Sequence, residues 1–322
     1  MAMSYRPLGR CGTKVSTLGL GGWTTFGGTL KEQSQVDRIL HAAFEHGVNF
    51  FDSADIYAKG AAEEAMGRAL AALPRHRLVI SSKVFWPMSD DVNDRGLSRK
   101  HIIESVEKSL RRLGTDYLDI YFCHRFDSET PVLETLRAMD DLVRQGKVLY
   151  WGTSEWSGEN LRQAHRLARE WLVHPPQVEQ PQYSLLARGR FEWDVLPTCL
   201  ELGMGTVVWS PLASGLLSGK YDGGIPAGSR LEMQEWLHRS LLKPDNLERV
   251  RRLGELAAAR GLGRAQLALA WAADRFGVSS VILGATSEAQ LLENLGALDL
   301  VIDEELRGGL ETIFPAGLQG TD

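Results

Sequence analysis

The sequence predicts an α/β fold, a (β/α)8 TIM barrel preceded by a β-hairpin. Three observations predict it. Short apolar runs alternate with helix-spaced segments along the chain without a break in composition, as in a parallel sheet covered by helices. Eight buried runs occur, each followed by a helical segment. Polar residues able to do chemistry recur where three of these runs stop, the place where barrels of this class carry their active sites.

The elements follow in order. Residues 5–17 read as a hairpin turned at Gly9 to Gly12. A first buried run covers 17–20, a helix 33–46 ends before Gly47, and a second run covers 48–51. A helix over 62–71, a third run at 78–80 and a turn-rich loop at 87–96 come next. Ser98 caps a helix that stops at Gly114, and a run over 117–122 follows. Thr130 and Pro131 supply a cap and a first-turn proline for a helix to Gln145, with Gly146 as its stop. Then come a run at 148–151, a helix at 159–171, a short run at 177–180, a mostly helical stretch at 191–202 and a run at 206–209. A long loop leads to a helix at 266–276, the last run at 280–283 and a helix from Ser287. The expected organisation is one domain over 1–322, with 301–322 as a C-terminal tail.

An open doubly wound sheet is the alternative. Its first turn carries Gly-x-Gly-x-x-Gly, and Gly19-Leu20-Gly21-Gly22-Trp23-Thr24 lacks the third glycine. Gly215-Leu216-Leu217-Ser218-Gly219-Lys220 is too short for a phosphate-binding loop.

A net charge of −5 gives no support for nucleic-acid or anionic-membrane binding. Cys11, Cys123 and Cys199 are few and scattered, so no disulfide framework is expected and a reducing compartment is. The first residues lack the apolar core of a signal peptide, and no run approaches the length of a membrane span. The expected location is the cytoplasm. No metal-spaced histidine cluster is present, and no metal is expected.

Asp52, Tyr57, Lys83 and His124 stand at or after the ends of three runs. A phenol with a pKa of about 10 is a poor acid alone. A nearby ammonium favours the phenolate and lowers that value. Lys83 can play this part for Tyr57, Asp52 can hold Lys83, and His124 can orient a substrate oxygen. Asp55 competes with Asp52, which is favoured because it abuts the run. Each residue alone has an ordinary reading as rim packing or surface charge; the joint pattern carries the argument.

The order Asp52, Tyr57, Lys83, His124 resembles the catalytic tetrad of the aldo-keto reductase superfamily. The chain is most similar to the voltage-gated potassium channel β-subunit branch and its bacterial relatives. Leu18-Gly19-Leu20-Gly21, Trp23-Thr24-Thr25-Phe26-Gly27-Gly28, residues 95–104, Tyr150-Trp151-Gly152-Thr153-Ser154, Trp209-Ser210-Pro211-Leu212-Ala213 and Ser218-Gly219-Lys220-Tyr221-Asp222 carry the likeness. The resemblance implies NADP(H)-dependent reduction of an aldehyde or ketone, with Tyr57 as proton donor. It implies that Ser154 and Gln180 hold the nicotinamide carboxamide, that Trp209 stacks on the ring, and that Trp23 also touches the cofactor. Ser210, Leu212, Ala213 and Gly215 would line the pyrophosphate, and Lys220 and Arg230 would meet the 2′-phosphate. Gly284, Thr286, Gln290, Glu293 and Asn294 would surround the adenosine. Gln290 also completes a Ser287-x-x-Gln290 capping pattern. Trp23, Phe26 and Trp86 are expected to wall the substrate pocket.

Three positions depart from the animal channel subunits. His124 replaces Asn, which favours a working reductase over a cofactor sensor. Glu155 replaces Arg, and Gly228 replaces Tyr. Since that branch forms tetramers, a homo-oligomer is expected. Two rival readings are a redox-sensing subunit of a membrane channel and a lyase or isomerase using Lys83 as a Schiff base.

Overall fold

The computed structural model describes residues 3–317. Eight parallel strands close a barrel in the order β10-β3-β4-β5-β6-β7-β8-β9. They are β3 (Leu18–Gly21), β4 (Phe50–Asp52), β5 (Val79–Val84), β6 (Leu118–Cys123), β7 (Val148–Ser154), β8 (Val178–Gln180), β9 (Gly205–Val208) and β10 (Val278–Leu283). A separate antiparallel hairpin, β1 (Tyr5–Pro7) with β2 (Lys14–Ser16), precedes them.

The hairpin closes one end of the barrel. Leu8 and Val15 join Phe50, Val79, Ile120, Phe122, Val178, Val207 and Ile282 in an inner apolar cluster. The Arg10 amide donates to Gly203 O, just before β9, at 2.9 Å. A side chain at Gly9 would meet the backbone of Gly205 at 2.3 Å, so only glycine permits this approach. The plug seals the N-terminal ends of the strands and leaves the C-terminal rim to hold a site.

Strand residues alternate between inside and outside. The inside set therefore runs Phe50 and Asp52, then Val79, Ser81 and Lys83, then Ile120 and Phe122, then Val178 and Gln180. Register aligns the strands so that Gly21 faces Asp52, Asp52 faces Ser81, and Ser154 faces Gln180. An apolar layer is thus overlaid by a polar layer at the rim. Gly152 belongs to the inside set. A Cβ there would lie 2.9 Å from the Phe122 ring and 2.4 Å from Val178 O, so the space is already filled.

The helices α1 (Gln33–Glu45), α2 (Ala61–Leu70), α3 (Arg99–Leu113), α4 (Val132–Arg144), α5 (Gly158–Trp171), α6 (Leu196–Leu202), α10 (Arg264–Asp274) and α11 (Glu288–Leu295) cover the barrel. Ser98 caps α3 as expected, accepting from the His101 amide. Thr130 does not cap α4; its hydroxyl donates to Asp127 at 2.7 Å. The expected long loop contains three further helices, α7 (Arg230–Met233), α8 (Glu235–Leu241) and α9 (Pro244–Ala259). The signals for α9 were in the chain: Pro244 in the first turn, and Val250, Leu253 and Ala257 three and four apart on the buried face. The expected tail likewise holds α12 (Glu304–Ile313), capped by Asp303; residues 318–322 lie outside those described. Among the described residues, no helix is long and apolar enough to cross a membrane.

Candidate active site

The expected run at 78–80 extends to Val84, so Lys83 sits inside β5, paired with Phe122, and is fully buried. Ser81, Ser82 and Lys83 break the apolar run by composition yet are all buried. The lysine can stay buried because its three donors are used. Nζ donates to Asp52 Oδ2 at 2.6 Å, to Ser53 O at 2.7 Å and to Tyr57 Oη at 3.1 Å. Asp52 is fixed in turn: its Oδ1 accepts from Ser81 Oγ at 2.7 Å and Gln180 Nε2 at 3.1 Å. Asp55 turns away and accepts from Ser105 Oγ at 2.8 Å on α3. Asp52, not Asp55, is therefore the lysine's partner.

Tyr57 arrives on a single turn after β4. Ala58 and Lys59 both take positive φ, 49° and 53°, ahead of Gly60 at 95°. Left-handed backbone costs a non-glycine residue about 1–2 kcal/mol. Lys59 helps to hold the turn, donating to Pro87 O at 2.7 Å. His124 follows β6, its amide bonded to Val84 O at 2.9 Å. Its ring stands 5.8 Å from that of Tyr57, edge to face.

Electrostatics assigns protonation states. Burial pushes the Tyr57 phenol above its ordinary value, with Lys83 pulling it back. The expected net lowering by Lys83 is thus outweighed by desolvation, and the phenol is held as a donor. Burial works against the Lys83 charge, but Asp52 and Tyr57 prevail and the ammonium is held. Burial, with Lys83 and Arg125 adding to it, drives His124 well down, so its imidazole is neutral.

These groups open on a cavity of about 750 Å³, within the usual size of a small-molecule site. Of the sequence-predicted residues, Trp23, Trp86, Ser154, Gln180, Trp209, Ser210, Leu212, Gly215, Lys220, Arg230, Gly284, Thr286, Gln290 and Asn294 line it with Asp52, Tyr57 and His124. Three do not. Phe26 is fully buried in the main core. Ala213 is buried within the loop after β9, its amide bonded to Ser210 O at 3.0 Å. Glu293 is exposed, and its carbonyl accepts from Gln266 Nε2 at 2.9 Å. The capping pattern at Ser287 is half formed: Ser287 Oγ accepts from the Gln290 amide at 3.1 Å, whereas Gln290 Oε1 accepts from the Thr286 amide at 2.8 Å rather than from that of Ser287. The place of Gln290 on the cavity wall is therefore combined with a structural task.

Charge around the cavity is uneven. Lys220 and Arg230 have no carboxylate partner among the described residues; Arg230 lies 4.9 Å over the Trp23 ring, and Lys220 4.9 Å over Tyr221. Asp222 is held by Arg264 at 2.6 Å. Glu155, the acidic departure, is bonded to Arg190 at 2.6 Å and to Trp209 Nε1 at 2.9 Å. It fixes the Trp209 ring, and its charge is met by Arg190.

Sequence reasoning missed Ser81 as a partner of Asp52; its period-two spacing from Val79 and Lys83 was the available signal. It also missed Arg125, Met233 and Trp236 on the cavity wall. The last two lie on α7 and α8, helices it did not expect. Among the described residues, no cluster of His, Cys, Asp or Glu is arranged to hold a metal ion.

Comparison with known proteins agrees with this geometry. Residues 17–311 match the family model described as "Aldo/keto reductase family". Two relatives, from Arabidopsis thaliana and Oryza sativa subsp. japonica, are each described as "Probable voltage-gated potassium channel subunit beta". Each is 46% identical over 305 residues, covering 93% of this chain and 92% of the relative.

Proposed function

The chain belongs to the aldo/keto reductase family, and from that premise we propose an NADP(H)-dependent reductase of aldehydes or ketones with Tyr57 as general acid. Family membership makes the protein an oxidoreductase. The observation that carries the finer reading is the Lys83 ammonium, bonded to Asp52 at 2.6 Å and to the Tyr57 phenol at 3.1 Å beneath the cavity.

The residues present fit the cofactor. Lys220 and Arg230, cations without carboxylate partners, line the cavity, and charge-assisted bonds to a phosphate need such donors. Gly215, at φ 92°, leaves the space that Lys220 fills: a Cβ there would come within 2.7 Å of Lys220 Cε. Ser154 and Gln180 would hold the carboxamide, Trp23 and Trp209 would flank the ring, and Ser210, Leu212 and Gly215 would border the pyrophosphate. Gly284, Thr286, Gln290 and Asn294 would receive the adenosine. When bound, NADPH supplies the hydride that reaches the carbonyl carbon.

The chain's own residues manage the proton. The carbonyl oxygen is received between Tyr57 and the neutral His124, which orients it. Tyr57 gives its proton to that oxygen as negative charge develops. The phenolate left behind is stabilised by the adjacent Lys83 ammonium, which Asp52 keeps charged. General acid catalysis of this kind contributes roughly 10²–10⁴-fold. Lys83 held as a fully bonded ammonium is a poor Schiff-base nucleophile, which disfavours the lyase alternative.

The names of the relatives favour a second reading, a cofactor-binding subunit of a membrane channel. His124 supports the reductase instead, since an imidazole beside the phenol serves turnover. A cytoplasmic homo-oligomer, tetrameric or larger, is compatible with either. The test is NADPH consumption over a panel of aldehydes and ketones, with Tyr57→Phe as control. Saturable consumption lost in the variant supports the reductase. No turnover with any carbonyl, together with tight NADPH binding, favours the subunit.

A further inference from the structure

Arg125 is the cavity residue that the reduction just described does not use. It follows His124 beyond the end of β6 and lines the same cavity as Tyr57, His124 and Trp86. Its Nη1 donates to the His124 carbonyl at 2.6 Å, and its guanidinium carbon lies 5.6 Å from the Trp86 ring centre. The Trp86 ring stands 6.3 Å from that of His124. The guanidinium is therefore beside the tetrad, anchored at one nitrogen. Nε and Nη2 have no acceptor, and no carboxylate stands within ion-pair distance, among the described residues.

Arg125 shares this lack of a carboxylate with Arg6 and Arg230 but differs from several other buried arginines. Arg112, Arg188 and Arg190, also partly or wholly buried, each hold a carboxylate. At the catalytic end of the cavity, Lys83 is neutralised by Asp52 at 2.6 Å and His124 is uncharged. Arg125 thus leaves that end with a net positive charge. Lys220 sits beside Gly215, and Arg230 lies over Trp23 within electrostatic range of Tyr57. The chain as a whole carries −5, so an anion is drawn here by local charge against the general field.

We propose that Arg125 selects carbonyl substrates that carry an anionic group, a carboxylate or a phosphate ester, a refinement that rests on the reductase reading above. The planar guanidinium fork matches both anions and cannot be deprotonated in the working range. The anion takes the free donors of Arg125, the carbon skeleton lies against Trp86, and the carbonyl oxygen reaches Tyr57 and His124. A neutral substrate makes no use of the free donors.

The test compares initial rates for para-carboxybenzaldehyde, para-formylphenyl phosphate and para-methylbenzaldehyde in wild type, Arg125→Met and Arg125→Lys at saturating NADPH. Because each ratio is taken between variants, the intrinsic reactivity of the aldehydes cancels. The kcat/KM ratio of an anionic over the neutral aldehyde should fall roughly tenfold or more in Arg125→Met, the loss of a charge-assisted bond. Arg125→Lys should keep part of the preference. Whichever anion loses more identifies the carboxylate or the phosphate class. An unchanged ratio for both anions overturns the proposal. Binding of benzoate and benzamide to the NADPH-saturated protein, read by tryptophan fluorescence, decides independently of turnover. Benzoate should bind more tightly than benzamide in wild type and lose that advantage in Arg125→Met. Equal binding of the two in wild type overturns the proposal even if the substituted chain fails to fold. If none of the three aldehydes is reduced yet benzoate binds through Arg125, the reductase reading falls while the anion site stands.

Discussion

The Asp222 carboxylate is bonded to the Arg264 guanidinium at 2.6 Å. The room for that arginine is made by two glycines. A Cβ at Gly219 would lie 2.4 Å from Arg264 Cζ, and one at Gly254 would lie 3.0 Å away. A carboxylate two residues after Lys220 is thereby given a cation of its own, and Lys220 stays free for another anion.

That pairing frames the cofactor prediction. Arg230→Ala should weaken NADPH by roughly tenfold or more, the loss of one charge-assisted hydrogen bond. NADH, which lacks the phosphate, should bind with little change. Titration by protein fluorescence reads both, because Arg230 lies over Trp23 at 4.9 Å. Equal losses for the two cofactors would show that Arg230 supports the fold of the loop rather than the phosphate.

Tyr57→Phe should remove most of kcat while leaving NADPH affinity nearly intact. The phenol proton is needed in the chemical step, and the ring's edge contact with His124 survives the change. Single-turnover rates, measured beside the cofactor titration, check it. A kcat within a few-fold of wild type would remove Tyr57 from the acid's role.

Lys83→Met should lower turnover severely, because the phenolate left by Tyr57 loses its counter-charge and Asp52 loses its partner. Burying an unpaired carboxylate also destabilises the fold by about 3–5 kcal/mol. The double variant Asp52→Asn with Lys83→Met should recover stability without recovering turnover. Recovery of both would make the pair structural.

The rate of carbonyl reduction should hold through neutral pH and fall only at high pH. Burial raises the Tyr57 phenol above its ordinary value, so the donor stays protonated until alkaline conditions. His124 is held neutral well below its usual range, so no loss is expected as pH drops through the ordinary histidine region. A kcat/KM profile with a limb near about pH 6.5, the unperturbed histidine value, would contradict that state.

Asp55 predicts a pH effect on stability. Burial, with Glu63 adding to it, raises its carboxyl to about 7. Its unfolded value is about 3.9. Between these values the folded chain holds a proton that the unfolded chain has released. Stability should therefore fall as pH rises through that window, by on the order of 1 kcal/mol per pH unit at most. Denaturant titrations of wild type and Asp55→Asn at several pH values would show a steeper fall in wild type. Parallel curves would remove Asp55 as the cause.

Much of this protein was determined by local sequence. Period-two alternation placed Asp52 and Gln180 on the same face as Phe50 and Val178, and Ser98, Gly114 and Ser287 marked helix ends where they stand. These are short-range effects, set by strand geometry and by backbone groups within a few residues, so the chain states them directly. The tetrad also followed from order along the chain, since barrel strands deliver their ends to one rim.

What tertiary structure alone decided is which charges are free. Asp222 and Arg264, and Glu155 and Arg190, pair across long separations, and no local pattern ranks one partner over another. The run at 78–80 stopped short because Ser81, Ser82 and Lys83 look exposed by composition; they are buried because Asp52 on β4 and Glu63 on α2 supply hydrogen bonds to them. Phe26 and Trp86 read alike in sequence, yet packing buried the first in the core and left the second on the cavity wall. Coulomb energy depends on distance and burial in space, and those quantities exist only once the barrel has closed.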